Sequence, residues 1–224
     1  DIQLDDITIL QQGEIKIEEN EIKWNDDVLI KQFISYAIGV WMGRYRLDRP
    51  GLHIAHPSPT EEEIAPYTYN GAKIEIVDDG IVPLMDENAP FPDNADKRMK
   101  EFVEVVFGSS NKAKNIDFIN ATLGRNTNIA KYLKNDFWKD HSARYQKRPI
   151  YWLFQSSRKN PAFQVLVYMH RMDAYTCEKV RTKYLLVYIE HLKNRILYLQ
   201  GQPTTAAVTR ELSQHEVALK ECLD

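Results

Sequence analysis

Asn160-Pro161-Ala162-Phe163 is the segment of this chain that comes nearest to a catalytic motif. Enzymes that methylate the amino group of a flipped base use an Asn/Asp-Pro-Pro-aromatic turn after a strand, and its oxygens bind that amine. An apolar run at 150–154 precedes the turn here. Three features count against the match. Ala162 replaces the second proline, the basic turn Ser156-Ser157-Arg158-Lys159 intervenes, and no glycine-rich turn follows a strand-like run to hold a methyl-donor cofactor. Asn-Pro is also a common turn dipeptide.

Other chemistries have weaker footing. His53 and His56 share a Pro-rich loop without a third ligand nearby, so no metal site is expected. Asp78 and Asp79 lack the acidic-X-Lys strand that a restriction-type nuclease needs. Walker loops, nucleophile elbows and zinc-finger spacings are absent. Cys177 and Cys222 lie far apart and read as reduced thiols of a cytoplasmic protein. His170-Arg171, directly after an apolar run, offers a phosphate or base contact, or else a helix entry.

Charge is more informative. Residues 1–100 carry 10 Lys and Arg against 20 Asp and Glu, and residues 101–224 carry 19 against 12. Within the second part, residues 131–200 hold 14 against 5, a net of +9. A basic segment rich in Tyr, Phe and Trp suits a nucleic-acid backbone: cations displace counterions and rings pack or stack. The plainer reading is a solvated helix face. The candidate contacts are Lys131, Lys134, Arg144, Lys147, Arg148, Arg158, Lys159, His170 and Arg171. Arg148 and Arg158 suit guanine edges, and the lysines suit phosphates. Tyr151, Trp152 and Phe154 alternate, so at least one points into the core.

The elements that must position these residues follow from periodicity and punctuation. Residues 7–24 alternate and read as a β-hairpin or meander. Residues 27–45 form an amphipathic helix, with Gly39 and Gly43 as close-packing positions inside it. Residues 48–71 read as a loop, and 73–85 as a hairpin turning at Asp78-Asp79-Gly80. The acidic stretch 86–93 is expected to be exposed. Helices follow at 94–107, 111–123 and 126–145, the first two stopped by Gly108 and Gly124. Short strands are expected at 149–154 and 162–169. A long helix at 173–199 carries the stripe Leu185, Leu186, Ile189, Leu192, Ile196 and Leu199, and an antiparallel helix at 204–223 closes the chain.

The fold class is therefore α+β and predominantly helical, with small hairpins or a short sheet and a C-terminal pair of long helices. Two segments suggest themselves, an acidic 1–92 and a basic, mainly helical 93–224, or one continuous domain across both. No apolar run approaches the roughly 18 residues that would span a bilayer, so no membrane association is expected. The chain starts at Asp1 in an acidic stretch, so no signal peptide is expected. Lacking an initial Met, it reads as a piece of something longer.

Two long blocks resemble PglX-type proteins, the adenine-specific DNA methyltransferases of BREX phage-defence systems. Ser35-Tyr36-Ala37-Ile38-Gly39-Val40-Trp41-Met42-Gly43-Arg44-Tyr45-Arg46-Leu47-Asp48 resembles their "SYAVGCMFGRYSLD" block. Lys147-Arg148-Pro149-Ile150-Tyr151-Trp152-Leu153-Phe154, continuing to Leu166-Val167-Tyr168-Met169-His170-Arg171, resembles "KRPIYWLFSS…F…LVYMHRY". Asp79-Gly80-Ile81-Val82-Pro83-Leu84 and Phe137-Trp138-Lys139-Asp140-His141 also fit, and the likeness runs from about residue 30 to 195.

The resemblance implies an adenine-N6 methyltransferase core upstream of these blocks. S-adenosylmethionine would then belong to the parent protein, and this chain would be a target-recognition part, inactive alone. No catalytic residue carries over, and Asn160 to Phe163 becomes an accidental match. The partners implied are double-stranded DNA, the methyltransferase core of the same polypeptide and other BREX subunits. The alternative is a scaffold module whose acidic first hundred residues contact those subunits.

Overall fold

The computed structural model describes residues 13–224 except residue 20. The alternating run at 7–10 lies outside the described residues. Its continuation forms an antiparallel hairpin of β1 (Ile15–Glu18) and β2 (Glu21–Trp24). Then α1 runs over Asp26–Trp41, with Asp26 and Asp27 in the first turn where the helix dipole favours anions. It stops earlier than the expected residue 45. Gly43 has φ of 81° and lies in the turn that ends the helix, yet it is a close-packing position as expected, since a Cβ there would lie 2.7 Å from Ile54 Cδ1. Gly39 packs closely inside the helix: a Cβ there would lie 2.5 Å from the Tyr45 ring.

Two expectations between 48 and 85 are corrected. The segment 48–71 is not all loop. It contains α2 (Glu61–Ile64), opened by a capping box between Thr60 and Glu63, and β3 (Tyr67–Tyr69). The expected 73–85 hairpin does not form. β4 (Ala72–Ile74) pairs instead with β3, while β5 (Ile81–Pro83) joins another sheet. The hairpin that does form turns on Asn70-Gly71, with φ of 48° and 77°. Positive φ at both central residues matches the right-handed twist of the flanking strands.

The stretch 86–93 is not wholly exposed either, since Ala89 and Phe91 are buried. Helices α3 (Ala95–Phe107) and α4 (Lys112–Leu123) end at Gly108 and Gly124, as expected. The single helix expected over 126–145 is two, α5 (Ile129–Asn135) and α6 (Phe137–Arg144). Asp136, at φ −120°, interrupts the ladder between them. Strands β6 (Tyr151–Gln155) and β7 (Gln164–Tyr168) pair antiparallel, and the sheet order is β5-β7-β6. The long helix comprises α7 (Thr176–Lys179), a π-helical segment (Val180–Leu185) and α8 (Leu186–Gln200). Of its expected stripe, Ile189, Leu192, Ile196 and Leu199 are buried and Leu186 is exposed. α9 (Ala206–Leu223) returns along α8, held by Arg195 and Glu211 at 2.6 Å.

The architecture is α+β, with helices on both sides of the three-stranded sheet. One face presents Val82, Leu166 and Tyr168 to a core shared with α1 and α3 to α6. The other presents Ile81, Val165 and Val167 to the π segment, α8 and α9. All five residues of β7 are buried, which explains its continuous apolar run. At about 1.5–3 kcal/mol per fully buried large apolar side chain, β7 is the main cohesive element of the sheet. The pairing of β5 with β7 joins residues on either side of position 92. Among the described residues, no helix is long and apolar enough to cross a membrane.

Candidate nucleic-acid interface

β6 is an edge strand, and basic residues gather at both of its ends. At one end, α6 runs out at Arg144 and the chain reverses before Tyr151. Gln146 and Lys147 adopt left-handed φ of 51° and 64°. The turn is closed by Lys147 N–H donating to Ser142 O and Arg148 N–H to Tyr145 O, both at 2.8 Å. Arg144, Lys147 and Arg148 all face solvent from it.

At the other end, the turn between β6 and β7 carries Arg158 and Lys159, both exposed. Ser156 Oγ accepts from Phe163 N–H at 3.0 Å. Glu221 of α9 accepts from Ser156 Oγ at 2.5 Å and from Ala162 N–H at 3.0 Å. The two basic clusters thus flank β6, a strand of five residues and about 17 Å at about 3.4 Å per residue. Trp152 projects between them and is 54% exposed, while Tyr151 faces the core.

Pairing separates the nine candidates. Arg144, Lys147, Arg148, Arg158 and Lys159 make no ion pair among the described residues. Lys131 is exposed and donates to Asn126 O at 3.3 Å. Lys134 is half-buried and bound to Asp86 at 2.6 Å. Arg171 is only 8% exposed, packs over Gly80, and donates to Asp78 O at 2.6 Å. Burial lowers its pKa against the pull of Asp79 and Asp78. Its guanidinium serves the turn before β5 from the inside. His170 is partly buried with its ring edge-on to Tyr168, and desolvation followed by Arg44 lowers its pKa.

The other chemistry-bearing residues are engaged locally. Phe163 of the Asn-Pro-Ala-Phe turn is buried against Tyr188, so its ring is not presented to a base. His53 and His56 both turn to Glu63, at 2.8 Å each. Among the described residues, no cluster of His, Cys, Asp and Glu has the makings of a metal site. Cys177 is exposed and Cys222 buried, and they are not paired. The exposure of Trp152 was beyond the sequence, because alternation shows that faces differ without showing which one is covered.

No family model matches the chain. It is 36% identical over 214 residues to the adenine-specific methyltransferase BrxX of Escherichia coli O9:H4 (strain HS), covering 90% of this chain and 17% of that protein. It is 37% identical over 195 residues to the adenine-specific methyltransferase PglX of Lacticaseibacillus casei (strain Zhang), covering 84% of this chain and 16% of that protein. The chain thus spans about a sixth of the length of these curated relatives.

Proposed function

The chain is homologous to a segment of the PglX-type adenine-specific methyltransferases, and on that premise we propose that it is a DNA-engaging, non-catalytic part of such an enzyme in a phage-defence system. The observation that carries this is the row along β6: two clusters of exposed, unpaired cations with an exposed indole between them. Cations that make no internal ion pair can exchange counterions for phosphates without first breaking a protein contact. Their spacing along one strand lets a single backbone engage both clusters.

In this reading S-adenosylmethionine and the catalytic turn belong to the methyltransferase core of the same polypeptide. The local geometry supports it. The three-stranded sheet is antiparallel, and none of its strands runs into a glycine-rich turn and helix that would cradle a nucleoside cofactor. Double-stranded DNA is the partner proposed, with Arg144, Lys147, Arg148, Arg158, Lys159 and Trp152 as the contact row.

The test is a mobility-shift titration of the chain on specific and random duplexes at two salt concentrations. Binding should weaken with a log-log slope near −0.9 for each phosphate contacted. No shift at low salt on either duplex would refute the reading. Labelled S-adenosylmethionine added with DNA should give no methyl transfer by this chain alone.

A further inference from the structure

A cleft of about 250 Å³ opens between the middle of α1 and the end of α6. Tyr36, Tyr45, Tyr145 and Tyr151 supply its rings, and Arg144 and Gln32 also line it. The walls are held in place from behind. Tyr36 and Tyr45 lie 5.1 Å apart, tilted by 32°. Arg44 Nε donates to Tyr45 Oη at 3.2 Å, and its other arm donates to Tyr168 Oη at 3.3 Å. His141 backs the far side, its ring 4.5 Å from Tyr145 and 4.7 Å from Tyr151. Tyr151 is 1% exposed.

We propose that this cleft binds a single nucleobase, stacked on the tyrosine walls, with Arg144 against the attached phosphate. The volume lies below the roughly 300 Å³ at which pockets for drug-sized ligands begin, so it suits one ring system and not a dinucleotide cofactor. Tyr36, Tyr45 and Tyr145 offer partly exposed ring surface while the buried Tyr151 closes the floor, and exposed aromatic surface is how unstacked bases are held without strong sequence preference. An inorganic anion alone would have one guanidinium and no use for the rings. Arg144 belongs to both features: it lines the cleft and stands in the basic cluster beside β6. A strand held by that cluster therefore passes the mouth of the cleft.

The source of the base is either an unpaired nucleotide of a nucleic acid or a free nucleotide. The first rests on the DNA-engaging reading and the second does not. Calorimetric titrations separate them. The four deoxynucleoside monophosphates, deoxyribose 5-phosphate, inorganic phosphate and a single-stranded oligonucleotide are titrated into the chain and into Tyr36→Ala, Tyr36→Phe and Arg144→Ala. Tyr36 is 38% exposed, so its variants should fold, which circular dichroism checks.

At least one monophosphate should bind. Tyr36→Ala should weaken it about tenfold or more, Tyr36→Phe should retain it, and the sugar phosphate should not compete. Monophosphates that fail to bind, or bind equally to Tyr36→Ala, would overturn the proposal. Monophosphate binding through Tyr36 without any duplex shift would keep the cleft and remove the DNA reading. A salt-dependent duplex shift with no nucleotide binding would do the reverse.

Discussion

The hydroxyl of Tyr184 lies 3.2 Å from both carboxylate oxygens of Asp79 and so ties the π-helical segment to the turn before β5. Asp79 has a side chain only 3% exposed, and it also accepts from Ile81 N–H at 3.0 Å and Lys183 Nζ at 3.1 Å. A buried carboxylate with three donors from two layers holds the outer helices to the sheet edge. The π segment sits where this bond is made, which gives the irregular turn a structural reason.

Tyr184→Phe should destabilise the chain by about 1 kcal/mol, the net worth of one hydrogen bond. Asp79→Ala should cost about 1–3 kcal/mol, because it strands the buried Ile81 N–H, while the Tyr184 hydroxyl still reaches Ile81 O and Asp93 at 3.3 Å. Urea denaturation of the three proteins measures both. Equal midpoints for Asp79→Ala and the parent would show that Asp79 is not a hub.

His141 makes the stability pH-dependent. Burial, then Arg144 and Arg44, push its pKa from 6.5 to about 4. Its Nε2 accepts from Ile150 N–H at 3.3 Å, and its Nδ1 is buried without a partner. Below about pH 6.5 the unfolded chain takes up a proton that the folded chain refuses. Stability is therefore present above 6.5 and lost as pH falls towards 4, by up to roughly 3 kcal/mol at 1.36 kcal/mol per unit. His141→Phe should flatten this part of the stability curve. An unchanged slope between pH 6.5 and 4.5 would rule the assignment out.

The basic candidates should divide by pairing. Lys147→Ala and Arg148→Ala should each reduce the salt slope of DNA binding by about 1 and leave stability within about 0.5 kcal/mol. Arg171→Ala should leave the slope alone and lower stability by about 1–3 kcal/mol, since it empties a buried site over Gly80. A flattened slope in a folded Arg171→Ala protein would return that residue to the interface.

The two thiols should react at different rates. Cys177 is exposed, whereas burial pushes the Cys222 thiol up to about 11, so little thiolate forms there at neutral pH. A disulfide reagent should label one cysteine quickly and the second only on unfolding. Rapid labelling of both in native buffer would contradict the packing of α9 against the sheet layer.

Where periodicity and punctuation agree locally, the elements were legible. α3 and α4 end at Gly108 and Gly124 because positive φ of 83° and 113° stops a helix there. β6 and β7 stood out as apolar runs flanking a polar turn. The hairpin at Asn70-Gly71 carried its own signal but was hidden in a proline-rich stretch. The false hairpin at 73–85 failed for a different reason: β5 pairs with β7, over 80 residues later, and local alternation cannot name a distant partner.

The sequence by itself determined the family, the helical character and the +9 charge of residues 131–200, because these depend on residue order alone. Tertiary structure decided which of those charges are available. Lys134, Lys179 and Lys183 are held by Asp86, Asp173 and Asp79, and Arg171 is buried, while the cations at the ends of β6 stand unpaired. It also gathered Tyr36, Tyr45, Tyr145 and Tyr151 into one cleft from segments a hundred residues apart. A charge's partner and a ring's neighbours are set by packing between distant elements, which no local pattern encodes.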